Sequence, residues 1–262
     1  MTIRVGVFGA AGRMGATVCR AVVDDPACEL VAAMDPLHAG LDVRQVAGVD
    51  VPGLHIDANA ESFVDAGVEV VVDFTQLDAA CENLEWAAEH GIHAVVGTTG
   101  FSDDDYDRFR STFTSSNCVI APNFSIGAVL MMRFAEIAAP WFETGEIIEL
   151  HHDAKVDAPS GTAMMTARRM AAASGDWAPD PTTKVVLDHA RGGTVDGITV
   201  HSVRMRGMFA HQEVLLGTAG QTLSIRHDTF DRTCYMPGVL LAVREVGNRP
   251  GLTIGLDDLL GL

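Results

Sequence analysis

Along the first half of the chain, short apolar runs alternate with stretches whose apolar positions recur at helical spacing. Residues 3–8 (IRVGVF) make a β-type run that ends in glycines. Residues 13–24 then carry Met14, Val18, Ala21 and Val22 at helical spacing. CELVAAMD (28–35) predicts the next strand, and VEVVVDFT (68–75) is almost continuously apolar, the pattern of a strand covered on both faces. The segment DAACENLEWAAEHG opens at Asp78, a residue suited to cap a helix, and closes at Gly91. HAVVGTTG (93–100) is a strand running into a polar, glycine-bearing loop. Ser102 opens a helix, SDDDYDRFRSTF, with acids in its first turn. CVIAPNFS (118–125) closes the series.

The pattern then changes. After a helical stretch over about 126–140, the strands GEIIELHH, ITVHSVRM, HQEVLLGT and TLSIRHD follow without regular intervening helices. One helix is predicted at roughly 160–173. The last stretch, DRTCYMPGVLLAVREVGNRPGLTIGLDDLL, is apolar and helical at its centre and is expected to pack back on the first domain. Strands alternating with helices predict an α/β, Rossmann-type domain over 1–125, completed by about 236–262, with a parallel sheet covered on both faces. Residues 126–235 predict a separate α+β domain on a mixed or antiparallel sheet. Ligands of such parallel sheets sit beyond the carboxyl ends of the strands. Those ends are Gly9–Gly15, Asp73–Thr75, Gly97–Gly100 and Pro122–Ser125, all small or polar.

Composition narrows the classes. The chain has 262 residues, 48% hydrophobic and 20% charged, an ordinary globular profile without repeats. Its formal net charge of -17 opposes nucleic acid and anionic membranes as partners but allows an anionic small ligand in a local basic pocket. No run of about 18 apolar residues predicts a membrane span. The N-terminus enters a strand at once, without a signal-peptide layout. The cysteines Cys19, Cys28, Cys81, Cys118 and Cys234 form no CxxC pair and suit free thiols in a reducing cytoplasm.

The loop GVFGAAGRMG places Gly9, Gly12 and Gly15 between a strand and a helix. Glycine permits a tight turn and close approach to a pyrophosphate, and the helix start offers backbone N–H groups and a positive dipole end. That context points to dinucleotide binding, although the G-x-x-G-x-x-G spacing is one residue longer at its first gap than the commonest fingerprint. Asp35 ends the second strand, where an acid bonds the adenosine ribose hydroxyls and repels a 2′-phosphate. Pro36 follows it and supplies no basic partner, while Arg13 lies in the glycine loop within reach of a 2′-phosphate. The expectation is use of NADH, with NADPH also accepted.

The densest chemistry lies in ELHHDAKVDAPSGTA, Glu149 to Ala163. Successive strand residues point to opposite faces, so His151 and His152 serve one site only if the strand ends between them. Lys155 lies just past that end. Pro159 fits a helix approach, with Ser160, Gly161 and Thr162 as N-cap and first turn. Two imidazoles, an ammonium and a helix N-terminus suit an anionic substrate that takes up a proton. A structural histidine pair is the competing reading. A metal centre is disfavoured because adjacent strand histidines diverge and no Cys or HExxH-type partner is near, and no G-x-S-x-G elbow makes Ser160 a nucleophile. His189, His201, His211 and His227, each taken singly, read as structural or surface residues.

Together these segments resemble the 4-hydroxy-tetrahydrodipicolinate reductase (dihydrodipicolinate reductase) family of lysine and diaminopimelate biosynthesis. The matching motifs are GxxGRMG at Gly9–Gly15, DFT at Asp73–Thr75, VVGTTG at Val95–Gly100, APNFS at Ala121–Ser125 and the block Glu149–Ala163. They run in family order, and the last is the specific one. The resemblance implies a cytoplasmic homotetramer whose second domain binds substrate and makes the tetramer contacts. It implies NAD(P)H-dependent reduction of a cyclic imino dicarboxylate, with loss of its 4-hydroxyl as water and no metal. It further implies that Gly9, Ala10, Ala11, Gly12, Arg13 and Met14 cradle the pyrophosphate and that Asp35 takes the ribose. Gly97, Thr98, Thr99, Ala121, Pro122, Asn123 and Phe124 would line the nicotinamide and its ribose. His151 matches the general acid/base, Lys155 a proton donor, and His152, Gly161 and Thr162 substrate ligands with Ser160 beside them. Other nicotinamide-dependent dehydrogenases would share the glycine loop but not the histidine–lysine block. A silent dinucleotide sensor could dispense with that block, and a metal-dependent hydrolase would carry stoichiometric metal.

Overall fold

The computed structural model describes residues 2–262. The chain forms two compact units. One runs to Ser125 and resumes over Tyr235–Leu262, and the other is Ile126–Cys234. In chain order the elements begin β1 (Ile3–Phe8), α1 (Arg13–Asp24), β2 (Cys28–Met34), α2 (Val43–Ala47), β3 (Ile56–Asp57) and α3 (Glu61–Asp65). They continue as β4 (Val70–Asp73), α4 (Leu77–Glu89), β5 (His93–Val96), α5 (Asp103–Thr112), β6 (Cys118–Ile120) and α6 (Ile126–Ala138). Then come β7 (Thr144–His151), α7 (Gly161–Ala173), β8 (Gly193–Val195), β9 (Ile198–Arg204), β10 (Ala210–Thr218) and β11 (Gln221–Thr229). The chain ends with α8 (Met236–Glu245), β12 (Leu252–Ile254) and α9 (Asp257–Leu260).

The first unit is built on a seven-stranded sheet in the order β12-β6-β5-β4-β1-β2-β3. Every neighbouring pair in it is parallel. The apolar reading of β4 has its cause here: the strand is central and all four of its residues are buried. Phe8 of β1, Phe63 of α3 and Trp86 of α4 meet in one aromatic cluster, with Phe8 and Phe63 centroids 4.9 Å apart. The C-terminal segment adds β12 beside β6. Arg244 of α8 donates to the Asp25 carboxylate that follows α1, at 2.5 Å. Strand order reverses at β1, which lies between β2 and β4. The loops after β1 and β4 therefore flank the switch point where sheets of this kind hold ligands.

Two local expectations need correction. α4 begins at Leu77 with Gln76 as its N-cap, so Asp78 sits in the first turn, where it opposes the positive helix end instead of capping it. The strand read over 68–75 pairs only over Val70–Asp73, because Phe74 and Thr75 turn into the following loop. α5 does open on Ser102, which forms a reciprocal capping box with Asp105.

The second unit carries a five-stranded sheet in the order β11-β10-β7-β9-β8. It is mixed: β7 and β9 are parallel, and the other pairs are antiparallel. Alternate residues of its strands point to a face covered by α6 and α7. Ile147, Val200, Val214 and Leu216 pack there on Ala135, Ala163, Ala167 and Met170. The small residues on both helices let them lie close to the sheet.

Candidate active site

The glycine loop after β1 is shaped for a phosphate. Gly9 has φ +63°, which favours glycine, and a Cβ on Gly15 would stand 2.0 Å from the Gly9 carbonyl oxygen. The first turn of α1 is therefore pressed against the strand end. Gly12 is its N-cap and provides no side-chain hydrogen bond. By contrast, Asp42, Ser102 and Ser160 cap α2, α5 and α7 with their own oxygens. The backbone N–H groups over Arg13–Gly15 thus remain for an anion. Ala10 is buried, while Arg13 is exposed and Met14 half-buried. This cradle fits a dinucleotide pyrophosphate.

Asp35 follows β2 and is 9% exposed. Its carboxylate accepts from the Ala11 N–H at 3.3 Å and the Leu37 N–H at 3.1 Å. The Nδ1 of His38 lies 3.0 Å from its Oδ1. The acid thus has a basic neighbour three residues on, which the reading of Pro36 overlooked. The i, i+3 spacing around a turn was the available signal.

The ends of β4, β5 and β6 make a small apolar platform. A Cβ on Gly97 would lie 1.9 Å from the Phe74 ring, so that ring rests directly on the Gly97 backbone. Phe124 packs against Phe74 with centroids 5.6 Å apart. The Thr98 hydroxyl donates to the Thr75 carbonyl at 2.9 Å, and Thr99 is exposed. Ala121 donates its N–H to Val96, Pro122 is exposed, and the Asn123 side-chain oxygen accepts from the Ser125 N–H. Beneath them Asp73, at 1% exposure, accepts from the Thr75 N–H at 2.6 Å and the Asn83 amide at 2.7 Å. Burial pushes its carboxyl up, against the lowering effect of those hydrogen bonds. Asp73 and Phe74 were visible in the DFT motif, but no role followed from the sequence.

In the second unit β7 ends at His151, so His152 has left the strand and is exposed. Glu149, two residues before His151 on the same strand face, is fully buried. His151 Nδ1 lies 2.5 Å from Glu149 Oε2. Arg204 of β9 donates to both carboxylate oxygens at 2.8 Å, and the Ser160 N–H donates to Oε1 at 3.2 Å. Burial alone would raise the Glu149 carboxyl, but hydrogen bonds from His151, Arg204 and Ser202 outweigh it and bring it to about 2. Ser160 is the N-cap of α7, its hydroxyl accepting from the Ala163 N–H at 3.2 Å. Gly161 and Thr162 form the first helical positions, Gly161 exposed and Thr162 half-buried. Lys155 Nζ donates to the Asp157 carboxylate at 2.7 Å. Glu149, Arg204 and Asp157 were missed as site residues. Glu149 could have been found from its i, i+2 spacing to His151, whereas Arg204 arrives through the parallel register that pairs it with His151.

Among the described residues, no three His, Cys, Asp or Glu side chains gather to hold a metal ion, and no helix is long and apolar enough to cross a membrane. All five cysteines are free thiols.

A parallel sheet with a glycine loop at its switch point, followed by a separate mixed sheet, defines a two-domain fold class with a Rossmann-type first unit. An amine dehydrogenase from Mycobacterium smegmatis shares the fold at TM-score 0.68 and 15% identity, over 97% of this chain and 95% of that one. Within that class the chain belongs to the dihydrodipicolinate reductase family. Models of the N-terminal and C-terminal parts of dihydrodipicolinate reductase match residues 3–124 and 127–260. The chain is 52% identical to the 4-hydroxy-tetrahydrodipicolinate reductase of Nocardia farcinica, with all of both chains covered. It is 51% identical to that of Cutibacterium acnes over 99% of each. A dipicolinate-bound dihydrodipicolinate reductase from Paenisporosarcina sp. TG-14 superposes with TM-score 0.87 at 37% identity, over 98% of this chain and 99% of that one.

Proposed function

We propose that this protein catalyses the NAD(P)H-dependent reduction of 4-hydroxy-tetrahydrodipicolinate to tetrahydrodipicolinate, with loss of water, in diaminopimelate and lysine biosynthesis. The observation that carries this reading is the Glu149–Ala163 block, folded with His151 at a strand end and bonded through Glu149 to the start of α7. The dipicolinate held by the Paenisporosarcina relative supports a small cyclic dicarboxylate as the ligand class.

In this reading Gly9–Met14 hold the pyrophosphate, Asp35 the adenosine ribose, and Gly97–Thr99 with Ala121–Phe124 the nicotinamide end. A reduced nicotinamide supplies the hydride. Loss of the 4-hydroxyl as water, with a proton from the ring carbon between it and the imine, leaves a C=C bond conjugated with the imine. Hydride addition at the far carbon of that bond leaves an enamine that must take up a proton. His151 or Lys155 delivers it. His152, Gly161 and Thr162 receive the substrate carboxylates, and Ser160 shapes the turn that presents them. Lys155, paired with Asp157, is the cation for which a dianionic substrate competes. These fixed positive groups explain how a chain of net charge -17 takes an anion.

NADH is the favoured cofactor, since Asp35 repels a 2′-phosphate, and Arg13 and His38 leave NADPH acceptable. The protein works as a cytoplasmic homotetramer built through its second unit. The five free thiols suit a reducing compartment. The sheet face opposite α6 and α7 carries the half-buried Ile148, Leu150 and Leu215.

A coupled assay tests the reaction. The protein is mixed with substrate made freshly from pyruvate and aspartate semialdehyde by the preceding synthase, and A340 is followed with NADH and then NADPH. Substrate-dependent oxidation with both cofactors, faster with NADH, is expected. Cofactor binding without oxidation would return the chain to the dehydrogenase or sensor readings. Light scattering at assay concentration checks the tetramer.

A further inference from the structure

We propose that Glu149 is a positioning residue: with Arg204 it holds His151 so that Nδ1 is always the donor and Nε2 alone exchanges a proton with substrate. The inference rests on the role of His151 given above, and it specifies which atom acts.

The argument is one of donors and acceptors. An ionised carboxylate can only accept hydrogen bonds. Arg204 donates to both Glu149 oxygens and Ser160 donates to one of them. His151 Nδ1, 2.5 Å from Oε2, must therefore carry the hydrogen. Arg204 also donates to the Asp157 carbonyl at 2.6 Å. One buried carboxylate thus joins three parts of the site: the imidazole, the start of α7 and the loop that carries Lys155. The charged groups on the neighbouring elements are Arg204 on β9 and the Lys155–Asp157 pair in the loop. A fully buried ion is costly unless it is paired. Packing this sheet against α7 would not need one, since the core there is apolar and its other buried polar contact, Gln212 to the Thr166 hydroxyl at 2.8 Å, is between neutral groups.

The test is Glu149→Gln. Glutamine keeps the length and one oxygen for Arg204 and Ser160, but turns an amide donor towards His151 Nδ1 and so favours the opposite tautomer. The expected result is a fall in kcat of about 10²- to 10⁴-fold, with KM for the substrate within about threefold of wild type. The ¹⁵N shifts of the His151 ring, assigned against His151→Asn, should exchange between the two nitrogens. A kcat within about threefold of wild type, or an unchanged tautomer in a folded variant, would overturn the proposal. Should the variant not fold, the wild-type spectrum decides alone: hydrogen on Nδ1 supports the proposal and hydrogen on Nε2 of the neutral ring sinks it. A wild type that lacks reductase activity yet holds the Nδ1–H tautomer would defeat the functional reading and leave the geometry standing.

Discussion

The two units prepare for their ligands by opposite means. In the first, α1 starts on a glycine with no side-chain cap, and the buried Asp73 is met only by neutral donors, a backbone N–H and an amide. In the second, α7 is capped by Ser160, and the buried Glu149 is met by a guanidinium and an imidazole. Both carboxylates are at most 1% exposed, yet one is pushed up and the other is drawn to about 2. Burial does not decide the charge; the partners do. On the proposed reading, the helix start that receives a pyrophosphate carries no side-chain cap, whereas the site that passes a proton holds its charges in fixed pairs.

The largest effect expected from that division lies in Lys155→Ala. Turnover should fall by about 10²- to 10⁴-fold, while NADH affinity, which the proposed reading assigns to the first unit, stays within about twofold. Stopped-flow kinetics and cofactor titration measure the two separately. Loss of both together would mean that the units do not divide the work as argued.

Next in size is a pair of glycine substitutions at the starts of α1 and α7. Gly15→Ala drives a methyl to 2.0 Å from the Gly9 carbonyl, so the loop must open. Cofactor affinity should drop by about 100-fold or more, roughly 3 kcal/mol. A Cβ on Gly161 meets nothing within 4 Å, so Gly161→Ala should leave NADH binding unchanged and leave the fold at least as stable. Isothermal titration and thermal unfolding compare the two. Equal losses at both positions would contradict the idea that only α1 is pressed against its strand.

Much of this contrast is already legible in the chain. β4, β5 and β6 announce themselves as apolar runs, and α1 and α7 fall where periodicity and caps place them, at Arg13–Asp24 and Gly161–Ala173. Residues 36–67 were not legible, because α2, β3 and α3 are five, two and five residues long, too short to establish a period. There the Asp42–Gln45 capping box was the readable sign. β12 is three residues between glycine turns and owes its place to pairing with β6. The candidate site divides in the same way. His151, Lys155 and Ser160 lie within one motif, whereas Arg204 reaches Glu149 from 55 residues away through strand register, which local spacing does not encode. The neutral surroundings of Asp73 are likewise set by packing around β4.

Smaller effects test the two buried carboxylates against each other through pH. Glu149 has its carboxyl depressed from 4.5 to about 2, so its contribution to stability is complete above pH 4.5 and is lost as pH falls towards 2. That contribution is on the order of 3 kcal/mol. Glu149→Gln should therefore be destabilised most at neutral pH and converge on wild type near pH 2, read as hydrogen-exchange protection in the second unit. A pH-independent difference would show that the ion pairs contribute nothing specific.

Asp73 must behave with the opposite sign and a smaller amplitude. Its carboxyl is raised above 3.8, so the stability associated with it is complete below pH 3.8 and declines as pH rises through its folded value. Asn at this position keeps an oxygen for the Thr75 N–H, and the Asn83 amide can turn to match. Asp73→Asn should thus be slightly destabilising or neutral at acid pH and become stabilising by about 1 kcal/mol at pH 8, where the wild-type ion has no cation to face. Hydrogen exchange in β4 and β5 of the intact protein gives the measurement. If the variant instead loses stability as pH rises, Asp73 is ionised and supported in the fold, and the two units would then hold their buried acids in the same way.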